Sequence, residues 1–433
     1  MIFKVKQIWG FLFLLLLSLI YISLFLLDSS TKNDITEIYF ADRITAAHKV
    51  LIDKYNKINE GKVKVIPIDF PNYDFNSNER KELLARSLKG RGDGIDLFAV
   101  DLIWVQRFAK WCEPLDKYFP IAERAKLLDK ALETCFYDGE LVALPLNRVQ
   151  GVMYYREDLL NNLKNGKEII KKIKSKITWE EFITLKNKIN SSNPFYIYPA
   201  ADFEGLICSF VELLLSLEPN YFDDHGFDFN TDSAEKALSL LVDLVNKHKL
   251  SPNVVTDLTD IPSYEYFVEN EGLFLRGWIS YDKDFLTSPF NIEKEKHLRK
   301  ASLPHFKGGK TTSVFGGWNL MISKFSDKKE EAIDFIKFLL TESSQELFYR
   351  ESGYYPIIKR FYENKKYKEA YPEIDRLIEL HKTGVHRPAH IDYTRYSEIM
   401  SHYFELAIRD EMSVNEALVQ TTHDIRNDKI ITK

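Results

Sequence analysis

From residue 35 onward, strand-like and helix-like segments alternate, and this alternation constrains the fold more than any single motif. ITEIYF (Ile35–Phe40) reads as a strand and Ile44–Ile58 as a helix. Val63–Ile68 alternates apolar and polar residues, as a half-buried strand does. Glu79–Lys89 has a helical pattern that Gly90 is placed to stop. Ile95–Val100 is almost wholly apolar, which suits a strand covered on both faces. Such a sequence of βα units predicts an α/β fold around a mostly parallel sheet. The 433 residues are 45% hydrophobic, enough apolar material for two sizeable cores and too much for one.

Further along, LVALPL, NRVQ and GVMYY (Leu141–Tyr155) read as a strand, a first crossing between two units, and a second strand. Thr178 and Glu181 have the spacing of a capping box, as do Ser413 and Glu416. Helical periodicity dominates from about Thr178 to Asn270. Ala301–Ile357 holds a short strand ending at Pro304, a Gly-rich loop, and a strand opening on Gly316-Gly317-Trp318. Two helices follow, then a Gly-Tyr-Tyr-Pro turn. Asp327 is placed to cap the first helix, whose inner face is Ala332, Phe335, Ile336 and Leu339.

The N-terminus carries Lys4 and Lys6 before an uncharged run, Ile8–Leu27. That run is long enough to cross a hydrocarbon core of about 30 Å. Its basic flank places the rest of the chain outside the cytoplasm, in the periplasm or at the cell surface. Residues 1–34 are read as an anchor and linker, with a signal cleaved near Ser29 and Ser30 as the alternative. The net charge is −5 with both signs interspersed, which argues against nucleic acid as a partner.

Cys112 and Cys135 could form a disulfide in an oxidising compartment, and three free thiols are an equal alternative. Cys208 sits in an apolar helical run and reads as a small hydrophobe. His386 and His390 are four apart, but Pro388 between them argues against one helix face and a metal site. No serine-nucleophile elbow and no phosphate-binding loop occurs, and 64 Asp and Glu make chance carboxylate pairs uninformative. The reading is therefore of a binding protein without cofactor or metal, not an enzyme.

Several segments carry a resemblance. GDGIDLFAVDLIWVQRFAKWCEPLDKYF (92–119), DGELVALPLNRVQGVMYYREDLL (138–160), ITWEEF (177–182), DFEGLICSFVELLLS (202–216), EGLFLRGW (271–278) and RPAHIDYTRYSEIMSHYFELAIRDEMSVNEAL (387–418) stand in the order of the family 1 extracellular solute-binding proteins. The chain resembles that family, the trehalose- and maltose-binding branch especially, over nearly all of its length from Ile35. The family's lipid-accepting Cys is absent, and Cys112 stands where many relatives have Gly. The resemblance implies the two-lobed type II periplasmic-binding-protein fold with a central cleft. Lobe 1 would be residues 35–147 plus 304–353, and lobe 2 residues 150–303 plus 356–433. It also implies capture of a di- or oligosaccharide by hinge closure, delivery to ABC permease subunits, and a monomer. A membrane-anchored sugar sensor is the alternative, and an extracellular carbohydrate-active enzyme the third reading.

A sugar offers C–H faces that suit aromatic rings and hydroxyls that suit carboxylates, amides and guanidinium groups. The positions matching the family supply such a set. Asp42 and Arg43 follow the first strand, at the end that faces a ligand crevice. Asp101 follows the third strand and, by resemblance, holds sugar hydroxyls, with Trp104 a turn later. Asn147 lies at the first crossing, and Tyr154 and Tyr155 lie just beyond, where strand alternation lets only one face the cleft. Glu204 opens a helix of the second lobe. Trp278 and Trp318 would be stacking platforms, Gly316 and Gly317 would let backbone approach the ligand, and Arg387 would project a fork. The bland alternatives are N-caps for Asp42 and Asp101, core packing for Trp104, Tyr154 and Tyr155, and a solvated charge for Arg43. Glu204 would then be a helix-dipole partner, and Arg387 an anchor for the C-terminal helices.

Overall fold

The computed structural model describes residues 15–23, 35–70, 77–91, 94–189, 192–284 and 292–431. Of the Ile8–Leu27 run, residues 15–23 are an exposed helix, and the remainder lies outside the described residues. Among the described residues no helix is long and apolar enough to cross a membrane.

The first βα units form as the alternation predicts. Strand β1 (Thr36–Asp42) leads through helix α1 (Ala46–Ile58) to β2 (Val63–Asp69), then through α2 (Ser77–Lys89) to β3 (Leu97–Asp101). β1 pairs in parallel with both β2 and β3. Leu97 to Val100 are wholly buried, which fits a strand covered on both faces.

The rest of the chain adds β4 (Leu144–Arg156), α3 (Trp179–Lys188), β5 (Tyr196–Ile197), α4 (Glu204–Leu217), α5 (Asp232–Asn246), α6 (Asp260–Glu269), β6 (Phe274–Trp278), β7 (Leu298–Ala301) and β8 (Ser313–Ile322). It ends with α7 (Lys329–Leu339), α8 (Glu342–Ser352), α9 (Ile374–His381), β9 (Gly384–Val385), α10 (Tyr393–Ile408) and α11 (Val414–Arg426). Among the described residues, nine strands form a mixed sheet in the order β2-β1-β3-β8-β4-β6-β5, with β9 on β8 and β7 on β4.

Two long antiparallel strands, β4 and β8, join the halves of this sheet. The end of β8 pairs with β3 (Trp318–Asp101 to Ile322–Leu97), and its start pairs with β4. β4 continues beyond Gln150 to pair with β6 and β7. NRVQ, expected as a crossing between two strands, is itself strand and continuous with the segments on either side. Asn147 and Arg148 pair with Trp318 and Gly317, and the Tyr355 amide donates to Arg148 O at 2.8 Å. The β8 register shifts between Trp318 and Asn319, a bulge. Beside it Gly317 has φ +133°, and a Cβ there would lie 2.4 Å from Asn147 O.

Both capping boxes form, at Thr178–Glu181 and Ser413–Glu416. Ala332, Phe335, Ile336 and Leu339 are buried, and Phe335 meets Phe40 and Tyr55 edge-on at 5.8 and 4.9 Å. Asp327 does not cap α7. Lys328 takes that position, because Ser326 Oγ accepts the Lys328 amide at 3.0 Å and sets the turn earlier. α4 is buried from Gly205 through Ser216, as a central helix must be.

The Cys112–Cys135 bridge is not formed, and all three cysteines are free and buried. Cys112 Sγ faces Phe108 O at 3.2 Å and Met321 Sδ at 3.7 Å, while Cys135 Sγ faces Ala131 O at 3.6 Å. Burial pushes the Cys135 thiol up to about 12 and raises Cys112 and Cys208 as well. Native protein is thus expected to resist an aromatic disulfide reagent and to release three thiols on unfolding. A single titratable thiol after unfolding would contradict this assignment. Gly317→Ala is expected to cost about 1–3 kcal/mol in chemical denaturation, the scale of strain at a backbone angle reserved for glycine. An unchanged midpoint would show that the bulge relaxes.

Candidate functional site

Where the halves meet, a cavity of about 120 Å³ brings together residues from ten separated stretches of chain. Arg43, Arg80 and Asp101 come from the first half, and Gly316, Gly317 and Trp318 from β8. Phe203, Glu204 and Gly205 come from the start of α4, and Trp278 from the end of β6. Asp260, Tyr281, Tyr354 and Arg387 complete the wall.

Arg387 is the centre of the charged wall. Its Nη2 donates to Asp101 Oδ1 at 2.9 Å and its Nη1 to Glu204 Oε1 at 2.8 Å. The guanidinium is 1% exposed, against 16% and 11% for the two carboxylates. Burial alone would lower its pKa, but Asp101 and Glu204 outweigh that and raise it. Asp101 Oδ1 also accepts the Ile103 amide at 3.1 Å, so this residue is both a cap and part of the wall. Glu204 Oε1 also accepts the Tyr393 hydroxyl at 2.8 Å. In each carboxylate a single oxygen thus accepts both of these bonds, and both residues line the cavity.

Each tryptophan is held by more than one neighbour. The Arg80 guanidinium lies 4.0 Å from the centre of the Trp318 ring, and its Nη2 donates to buried Asp42 at 2.7 Å. Trp104, itself buried, meets Trp318 edge-on at 6.2 Å. Trp278 Nε1 donates to Asp260 Oδ1 at 3.3 Å, and the Tyr281 hydroxyl donates to the same oxygen at 2.7 Å. Burial raises the Asp260 pKa, and those donors only partly offset it. A Cβ on Gly316 would approach Trp278 Cζ3 to 3.0 Å, so glycine here lets the indole lie against β8.

Of the residues singled out in the sequence, Arg43, Asp101, Glu204, Trp278, Gly316, Gly317, Trp318 and Arg387 line this cavity. Asp42 and Trp104 stand behind it, supporting Arg80 and Trp318. Asn147 is buried in the β4–β8 ladder. Tyr154 is in the core, where its hydroxyl donates to Trp278 O at 2.8 Å, and Tyr155 is also fully buried. Arg80, Asp260, Tyr281 and Phe203 were not foreseen. Arg80 stands in the charged NERKELL segment and looks like a solvated helix residue, and Asp260 looks like a first-turn acid.

Two roomier recesses, about 360 and 260 Å³, open elsewhere, around Phe119 and Ile358 and around Leu298 and Leu377. Neither contains a tryptophan or a guanidinium shared by two carboxylates. Among the described residues no group of His, Cys, Asp and Glu is placed to hold a metal. Aromatic faces beside carboxylate oxygens and guanidinium groups are the chemistry that recognises a polyhydroxylated ring.

The profile of the bacterial extracellular solute-binding proteins matches residues 41–346. The chain belongs to that family. A probable ABC transporter-binding protein of Deinococcus radiodurans is 26% identical over 353 residues, covering 79% of this chain and 80% of the relative. Among solved structures, maltose-bound MalE3 of T. maritima superposes with a TM-score of 0.79 at 25% identity, covering 91% of this chain and all of the other. An ABC substrate-binding protein from Listeria monocytogenes in complex with cycloalternan shares the fold, with a TM-score of 0.76 at 19% identity over 91% and 99% of the two chains. Solute-binding proteins of this family work outside the cytoplasm, and the family is one of binding proteins, not enzymes.

The junction beside this site carries a pH dependence. His381 and His386 flank Phe315, with ring centres at 4.8 and 5.3 Å. Burial, then the nearby Arg148, pushes His381 down to about 4 and His386 down to about 3. Unfolded imidazoles titrate near 6.5. Between those limits the unfolded chain takes up protons that the folded chain refuses. The stability that these two rings contribute is therefore full above about pH 6.5 and falls on acidification towards 4, by up to ~1.4 kcal/mol per pH unit for each ring. Urea unfolding at pH 7 and pH 5 should show a smaller loss in His386→Gln than in the wild type, and equal losses would contradict the assignment.

Proposed function

We propose that this chain binds a di- or oligosaccharide between its two halves and delivers it to the transmembrane subunits of an ABC importer. The observation that carries the reading is the pairing of two indole faces with two carboxylates that share Arg387. The maltose seen in the T. maritima relative agrees in ligand class. Lobe 1 would be residues 35–147 plus 304–353 and lobe 2 residues 150–303 plus 356–433, hinged on β4 and β8. His305 and Lys310 bond to Ile177 and Ser216, which favours a return crossing later than Pro304, near Phe315–Gly317.

A cavity of about 120 Å³ is small beside the ~300 Å³ at the lower end of ligand sites, so entry of a disaccharide requires the halves to part. Ligand contacts to both halves would then shift the population towards a closed form. Binding proceeds without turnover, the chain acts as a monomer, and Ile8–Leu27 tethers it to the membrane.

Full-length protein in a detergent without a sugar headgroup should bind at least one member of a panel of maltose, trehalose, maltotriose and their component monosaccharides. Binding should quench tryptophan fluorescence and raise the thermal midpoint. No response across the panel would sink the reading. Trp278→Ala should weaken the strongest binder by about tenfold or more with little change in melting, as loss of an aromatic hot spot does. Unchanged affinity would remove Trp278 from the site.

A further inference from the structure

A buried ion pair lies behind the Trp278 platform. Arg276 and Trp278 are two apart on β6, so their side chains leave the same face of the sheet. The Arg276 guanidinium carbon is 4.4 Å from the centre of the Trp278 ring. Its Nε and Nη2 donate to the two oxygens of Glu212 at 3.1 and 2.9 Å, a fork-to-fork pair with side chains 1% and 5% exposed. Neither residue lines the cavity.

Glu212 has a further task. Its Oε1 accepts the Val314 amide of β8 at 3.1 Å, just before Gly316 to Trp318. Room for the carboxylate comes from Gly151 on β4, which pairs directly with Trp278. A Cβ on Gly151 would lie 2.1 Å from Glu212 Oε1 and 3.1 Å from Arg276 Nη2. Glu212 also shares α4 with Glu204, two turns nearer the cleft. One carboxylate therefore joins the helix that presents Glu204, the strand that presents Trp278 and the strand that presents Trp318.

A buried pair of this kind adds little to stability over an apolar pair of similar size, because both ions lose their hydration. Its geometry, however, is well defined: a bidentate fork fixes a plane, and a guanidinium plane over an indole fixes the ring. We propose that Glu212 and Arg276 are positioning residues of the carbohydrate site, setting the Trp278 ring and the β8 wall in the arrangement that a sugar meets. This rests on the reading of the cleft as a saccharide site.

The test is the double variant Glu212→Gln/Arg276→Met in the full-length protein. It leaves no unpaired buried charge, and the glutamine oxygen still accepts the Val314 amide. Two readouts are taken on folded protein: affinity for the panel's strongest binder, and the indole ¹⁵N–¹H resonance of Trp278, assigned with Trp278→Phe. The expected result is a near wild-type melting midpoint, an affinity loss of tenfold or more, and a shifted or broadened Trp278 resonance. A wild-type resonance with affinity within twofold would overturn the proposal. Should the double variant fail to fold, Arg276→Lys keeps a counter-ion for Glu212 but loses the plane over the ring, and the same outcomes decide. If the wild type binds no saccharide, the reading of the cleft falls, while the indole resonance still decides whether the pair positions Trp278.

Discussion

A guanidinium removed from water is best stabilised by anions, and Arg387 is held by one carboxylate from each half of the molecule. Asp101 comes from the end of β3, and Glu204 from the start of α4. The loop after β9 must therefore lie between them, and α10 is held there through the Tyr393 hydroxyl on Glu204. Losing one partner of a buried pair typically costs about 3–5 kcal/mol, far more than such a pair adds when intact. The proposed opening of the cleft must therefore admit water to Arg387 as one carboxylate withdraws. The same side chains that shape the wall would then set the balance between open and closed forms.

The second constraint is topological. β4 and β8 run through both half-sheets, so a change in the angle between halves has to bend them. The bulge at Trp318–Asn319 and the unusual backbone of Gly317 lie at that point. They also lie in the cavity wall. A ligand touching Gly316 to Trp318 would thus touch the segment that bends, which is why site and proposed hinge share residues.

Much of the fold is legible in the sequence because its causes are local. Thr178 with Glu181 and Ser413 with Glu416 close their own helix ends, and Ile95–Val100 declares a doubly covered strand by composition alone. The continuity of β4 was not legible, since Asn147 and Arg148 are held in a strand by Trp318, Gly317 and Tyr355 from far along the chain. Distance in sequence also hid Arg80, which looks like one charge among many until Asp42 and Trp318 enclose it. Tyr154 and Tyr155 show the converse. Their aromatic character suited a platform, but both are fully buried, and Tyr154 braces Trp278 from the core. The cysteine pair could not be decided from spacing, because pairing depends on where the side chains point.

The most direct test of the account is a crystal structure of the protein with a bound saccharide. One sugar ring is expected against Trp278 or Trp318, with hydroxyls on Asp101 and Glu204 and contacts to both halves. Sugar density in the recess around Phe119 and Ile358, or on one half alone with the Arg387 wall untouched, would contradict it.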